Sequence, residues 1–354
     1  MTEQIPQDEE ILIRQEGLLR RITLNRPKAL NAITLNMAVI MTAKLREWAN
    51  DPSVGAVLID GAGDRAFAAG GDIRALYDAA KAGDPLPEKF WSIEYHLNVL
   101  IARYPKPFIA LMDGLVMGGG VGLSAHAAHR VVTDRSTVAM PEVGIGFFPD
   151  IGASYLLARA PGEVGTYLAL TGSRINGADA IYSGLADIHI RAARLSEIPR
   201  ALADCRTTDE VVTRLKEFAT PPAPGRLAAA RNWIDAGFSA DRAEEIVARL
   251  PKSSDSGAAE ALAIMQKASP TSLKITLRNL RDAQRMTRLE QCFQQDYRIA
   301  LACIGGHDLI EGIRAAIVDK DRNPVWRPNT IEAVTPEIVD RHFEPVDTLE
   351  LQFD

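Results

Sequence analysis

Two apolar runs, 11–14 and 18–24, meet at Glu16-Gly17 and predict a β-hairpin. Pro27 stops the second run, because it has no N–H to give a ladder. Beyond it the apolar period becomes helical over 35–48, with Thr34 placed as the cap. A short apolar run, 56–59, lies between Gly55 and Gly61 and predicts a buried strand. The segment FAAGGDI, 67–73, sets two glycines ahead of Asp72, which stands where a cap would stand for a helix through Leu76 and Tyr77. A longer helix is predicted over 88–103, with Phe90, Leu97 and Ile101 on one face. Glu94 falls on that same stripe. A carboxylate there is costly unless paired or used. A helix turned to bring Glu94 to solvent accounts for it equally well.

The pattern then shortens. Strands are predicted at 108–112 and 115–117, either side of the Asp113-Gly114 turn. Gly118, Gly119 and Gly120 open a helix over 121–128. Further strands follow at 131–132 and 138–140, Pro141-Glu142 leaves the sheet, and Asp150 precedes a helix over 151–160. Strands alternating with helices imply an α/β core. After Ile190 the alternation stops. Helices are predicted at 195–204 and 208–218, then a Pro-rich linker at 221–225, then helix upon helix from 227 to about 317. The Pro-rich end, 323–354, is expected to wrap the surface. The chain thus divides into a disordered lead, 1–10, a core, 11–194, and a helical region with its tail, 195–354.

Charge and composition narrow the function. The net charge of −6 lacks the basic excess that nucleic acid or an anionic membrane would need. No apolar run approaches the ~18 residues of a membrane span. Cys205, Cys292 and Cys303 are odd in number and scattered, so neither a disulfide framework nor a zinc site is expected. The N-terminus, MTEQIPQDEE, resembles neither a signal nor a transit peptide. These features together predict a cytoplasmic protein.

Most motif readings fail at a named position. A dinucleotide fingerprint started at Gly118 or at Gly120 needs a sixth-position glycine and meets Leu123 or Ala125. A nucleophile elbow around Ser124 ends on His126 instead of glycine, and Ser124 reads as packing. The histidines form no zinc-protease pair. What survives is a pair of glycine-bearing helix starts, at Gly71 and Gly119, on successive α/β units. Backbone N–H groups at a helix start are unpaired, and two aimed at one oxygen make an oxyanion hole, each donor worth about 3 kcal/mol.

At these residues the chain resembles the crotonase (enoyl-CoA hydratase/isomerase) superfamily. FAAGGDIRALY and KPFIALMDGLVMGGGVGLSAH are similar to its two oxyanion segments. AMPEVGIGFFPDIGASY, SPTSLKITLR and GHDLIEGIRAAIVDKDRNPVWRP resemble its thioester-hydrolysing branch. The resemblance implies a crotonase-like α/β fold, a spiral of β-β-α repeats with a C-terminal helical region. It implies thioester-oxygen donors at Gly71 and Gly119, Glu142 as nucleophile or general base, and Asp150 as a further catalytic residue that holds the 3-hydroxyl of a 3-hydroxyacyl-CoA. Glu94 matches a substrate-pocket glutamate. The first of the two hydratase glutamates is replaced by Gly122, which argues against water addition across a double bond. Other readings stay open at this point. Asp150 could be only a helix cap, and Glu142 only a first-turn residue favoured by the helix dipole. An enoyl-CoA hydratase, or a non-catalytic acyl-CoA-binding protein, would share the fold. No metal or separate cofactor is implied, since coenzyme A belongs to the substrate. A trimer or hexamer is the expected assembly, Arg26 and Lys28 are candidates for the CoA phosphates, and His307-Asp308 reads as structural.

Overall fold

The structure, a computed structural model, describes residues 9–345 and 350–353, so the expected disordered lead falls mostly outside the described residues. Among the described residues, nine strands form two sheets. β1 (Ile11–Glu16), β2 (Leu19–Leu24), β3 (Ala56–Gly61), β5 (Phe108–Met112), β7 (His129–Thr133) and β9 (Ile188–Ile190) lie side by side in that order. The hairpin β1–β2 is antiparallel and every later pairing is parallel. β4 (Ala66–Ala68), β6 (Leu115–Met117) and β8 (Thr137–Ala139) make a small parallel sheet. From β3 onward successive strands therefore go to alternate sheets, and helices carry the chain on to the next turn of the spiral.

The first helices are α1 (Leu35–Ala49), α2 (Ile73–Ala82), α3 (Leu86–Ala102) and α4 (Gly119–Ser124). Thr34 and Asp72 cap α1 and α2 through their side chains, as their positions in the sequence predict. Then come α5 (Ala153–Leu157), α6 (Val164–Thr171), α7 (Gly177–Tyr182), α8 (Ile198–Ala203) and α9 (Thr208–Lys216). The helical region adds α10 (Leu227–Phe238), α11 (Ala243–Arg249), α12 (Ser256–Met265), α13 (Pro270–Ala283), α14 (Leu289–Ile304), α15 (Asp308–Ile313) and α16 (Pro336–Asp340).

Parallel strands are covered on both faces, and the residue alternation shows by what. Val57, Ile59, Phe108, Ala110 and Met112 point into the main core. Leu58, Ile109 and Leu111 point the other way, onto Ile198 and Leu202 of α8 and Val211 and Leu215 of α9. These two helices, read from the sequence with the C-terminal region, thus seal the spiral's outer face.

Two helices are shorter than their apolar patterns predict. α4 ends at Ser124, whose hydroxyl donates back to the Gly120 carbonyl at 2.7 Å, and β7 begins soon after. α5 begins only at Ala153, because Ile151 and Gly152 hold left-handed backbone, φ 55° and 68°. Asp150 therefore does not cap it: the cap residue is Gly152, with no side-chain bond.

Candidate active site

A cleft of about 450 Å³ runs between the spiral and α15, lined by Gly71, Glu94, Gly119, Glu142 and Asp150 among apolar side chains. Five sequence-derived site residues thus meet in one place, though they lie on five separate segments.

The two glycine segments come first. The β-bridge between Ile33 and Gly71 uses the Gly70 carbonyl and the Asp72 N–H, which leaves the Gly71 N–H outside that bridge. Gly119 is the first residue of α4, where an N–H has no intrahelical partner. The two are adjacent: a Cβ built on Gly119 would lie 3.5 Å from the Gly71 nitrogen and 2.6 Å from Glu94 Oε1. The turn into α4 is made by Gly118 at φ 49°, ψ −124°, a region open to glycine. Any side chain there would also meet Glu142 Oε1, 3.0 Å from the position of a Cβ. This geometry can hold one oxygen against two backbone donors with a carboxylate beside it.

Glu142 opens the 3-10 turn Glu142–Ile145 and is only 7% exposed. Its Oε2 is buried without a hydrogen-bond partner. Burial, and then the nearby Asp150, push its pKa well above the ordinary range. Glu94, 2% exposed on α3, points inward and not to solvent, and its Oε1 is likewise unpartnered. Burial and then Asp150 raise its pKa too. Asp150 accepts the Tyr95 hydroxyl at 2.7 Å. Burial pushes it up to about 7, with the Tyr95 bond opposing. No arginine or lysine pairs with these three carboxyls among the described residues, so no positive charge offsets their desolvation.

A Cβ at position 122 would be crowded: it would lie 2.9 Å from Asn98 Oδ1 and 3.1 Å from Ile151 Cβ. The place of the first hydratase glutamate is therefore filled by an amide from α3 and an aliphatic side chain. Asn98 is fully buried, and neither of its polar atoms has a partner.

Three smaller readings are settled by contacts. Arg26 is held by Asp72 at 2.9 Å, Glu10 at 3.4 Å and the Ala32 carbonyl at 2.7 Å, so its guanidinium is committed, whereas Lys28 is exposed at the cleft rim beside Ala29. Ser124 is buried packing. Asp308 ties Ser269, at 2.6 Å, to the Arg327 N–H, at 2.8 Å, a structural role. Tyr95, Asn98 and Asp296 gave no sequence signal of their own. Tyr95 and Asn98 sit on the helix that carries Glu94, and only the turn of α3 shows which way they face.

Residues 19–343 match the family described as enoyl-CoA hydratase/isomerase, and the chain belongs to that family. Among curated proteins it is similar to the 3-hydroxyisobutyryl-CoA hydrolase, mitochondrial, of Danio rerio, 41% identical over 97% of this chain and 91% of that protein. The Homo sapiens protein of the same name is 40% identical over 98% and 91%. Among solved structures, one named a carnitinyl-CoA dehydratase, from Mycobacterium thermoresistibile, is 45% identical with a TM-score of 0.93, covering 98% of this chain and 99% of that one. One named an enoyl-CoA hydratase, from Rhodobacter sphaeroides 2.4.1, is 42% identical with a TM-score of 0.89, covering 98% and 100%.

Proposed function

We propose that the protein hydrolyses the thioester of 3-hydroxyisobutyryl-CoA to 3-hydroxyisobutyrate and free CoA, a step of valine breakdown. Position 122 carries this reading. Hydration needs an acid and a base on one water, and with glycine at 122 the usual second carboxylate is absent, its place crowded by Asn98 and Ile151. The names of the curated relatives point the same way.

In the proposed reaction the thioester oxygen accepts from the N–H groups of Gly71 and Gly119 as negative charge builds on it. Glu142, ionised, attacks the carbonyl carbon and expels the CoA thiolate, and water then opens the mixed anhydride; alternatively it takes the proton of an attacking water. The low-dielectric surroundings that raise its pKa also make its carboxylate more basic. Asp150 holds the 3-hydroxyl, and an acyl group lacking it leaves a buried carboxyl unpaired, which disfavours such substrates. Glu94 lines the acyl end. The route uses no metal or separate cofactor, because CoA enters as part of the substrate. We carry forward a homotrimeric or hexameric assembly, checked by sedimentation. A cytoplasmic location rests on the sequence features above and on three buried, free cysteines, a state suited to a reducing compartment; the vertebrate relatives are named mitochondrial, and fractionation of the source cells decides between the two.

The second reading is hydration of an enoyl-CoA, favoured by the names of the two solved structures. It requires Asp150 or Glu94 to serve as the second carboxylate. The test follows free thiol from 3-hydroxyisobutyryl-CoA and the absorbance of crotonyl-CoA in parallel, with wild type and Glu142→Ala. Thiol release that drops by about 10²-fold or more in the variant, with crotonyl-CoA unchanged, supports hydrolysis. Loss of crotonyl absorbance without thiol release means a hydratase.

A further inference from the structure

Asp150 is aimed from behind by groups that never reach the cleft. Its Oδ2 accepts from the hydroxyl of Tyr95, which is fully buried on α3. The Tyr95 ring is wedged against Phe293 and Tyr297 of α14, at centroid distances of 5.4 and 6.3 Å. No other side chain donates to Asp150 among the described residues. The backbone just after it is strained, since Ile151 is β-branched and stands at φ 55°. Two clamps hold that turn. The His126 Nε2–H donates to the Ile151 carbonyl at 2.8 Å, and the Gly152 N–H donates to Asp296 Oδ2 at 2.8 Å. Asp296, fully buried on α14, is itself fixed by the Asn279 amide at 2.9 Å, which Gln295 bonds in turn at 2.7 Å. A strained turn with clamps on both sides of its peptide has one orientation.

We propose that Tyr95, together with the turn clamped by Asp296, is the positioning device for Asp150, and that it sets the preference of the cleft for 3-hydroxyacyl thioesters over the same acyl groups without the hydroxyl. With Oδ2 occupied by Tyr95, Oδ1 is the oxygen left for the substrate hydroxyl, and the carboxyl cannot swing to exchange the two. Without Tyr95 the carboxyl is free to rotate, and the hydroxyl loses a fixed partner. Tyr95 touches no reacting atom. The inference rests on the reading of Asp150 as the 3-hydroxyl acceptor.

The test is the ratio of kcat/KM for 3-hydroxyisobutyryl-CoA to that for isobutyryl-CoA, measured by thiol release. Tyr95→Phe keeps the ring and removes the donor. The ratio is expected to fall about tenfold, the value of one hydrogen bond to a charged group. A merely structural role lowers both substrates together and leaves the ratio where it was, which overturns the proposal. Asp296→Asn is the second variant, should Tyr95→Phe fail to fold. It sets an amide donor against either the Gly152 N–H or the Asn279 amide, and so loosens the turn. Its ratio is expected to fall as well, and an unchanged ratio there overturns the clamp. If wild type releases no thiol from either thioester, the hydrolase reading falls and this inference falls with it. If wild type hydrolyses both and the variants keep its ratio, only the inference falls.

Discussion

Asp150 and Glu142 are coupled through space, and the coupling has a sign that can be measured. In the proposed reaction Glu142 works as a carboxylate, so activity is expected to be lost as pH falls through its raised pKa. Burial is the larger cause of that rise and the Asp150 charge the next. In Asp150→Asn the charge is gone, so the acid limb of the residual kcat profile is expected at lower pH than in wild type. The same variant bears on stability. Burial pushes Asp150 up from 3.8 to about 7 in the fold, so the folded state binds the extra proton between those values. Its contribution to stability therefore declines as pH rises through that window. Asp150→Asn is expected to be more stable than wild type at pH 8 by about 1–3 kcal/mol, with the difference gone below pH 4, as read by denaturant unfolding. Gly119→Ala is the corresponding test of the backbone donors. Its methyl would press on Glu94 and Ile33 and stand beside the Gly71 nitrogen. We expect kcat to fall by about 10²–10³-fold, with melting temperature shifted far less.

At the level of elements, the helical region sets the place of Glu142. The Ser269 N–H, at the start of α13, donates to the Val143 carbonyl at 3.2 Å. Gly312 of α15 lies so close to the 142–145 turn that a Cβ there would be 2.1 Å from the Ile145 carbonyl oxygen. Backbone cannot yield as a side-chain tip can, so Gly312→Ala is expected to displace the turn and lower kcat at least tenfold, by thiol-release kinetics. Much of this level is legible in sequence. Thr34, Asp72 and the strands 108–112 and 115–117 follow from periodicity and cap chemistry, which act within a few residues. What fails is local as well: Asp150 has the sequence position of a cap, but left-handed backbone at Ile151 and Gly152 starts the helix later, and its side chain goes to Tyr95, 55 residues away. The family pattern marks Gly122 as a missing carboxylate, but nothing in the sequence of α3 says that Asn98 lies opposite it.

At the scale of the molecule, α3 links the spiral helices α1, α2 and α4 to α14 of the helical region. Its inner face carries Glu94, Tyr95 and Asn98. Behind it the chain comes back at 350–353, where the Gln352 carbonyl meets His96 Nε2 at 2.9 Å and the Phe353 ring lies 4.8 Å from the His96 ring. Leu351 is buried there, and its carbonyl accepts from Gln294 of α14 at 3.0 Å. Leu351→Ala is expected to cost about 2–4 kcal/mol, as for other buried leucines, measured by denaturant unfolding. The return of the tail also has a consequence for biosynthesis. His96 and Gln352 are 256 positions apart. On the ribosome the spiral can condense as it emerges, but the contacts of 350–353 with His96 on α3 can form only after residue 352 has been made. Contacts of such separation form late. A nascent chain paused before that point would carry its glycines and carboxyls in sequence, with α3 already packed on α1 and α14 but lacking its contacts with 350–353, so full resistance of α3 to proteolysis is expected only once those contacts are in place.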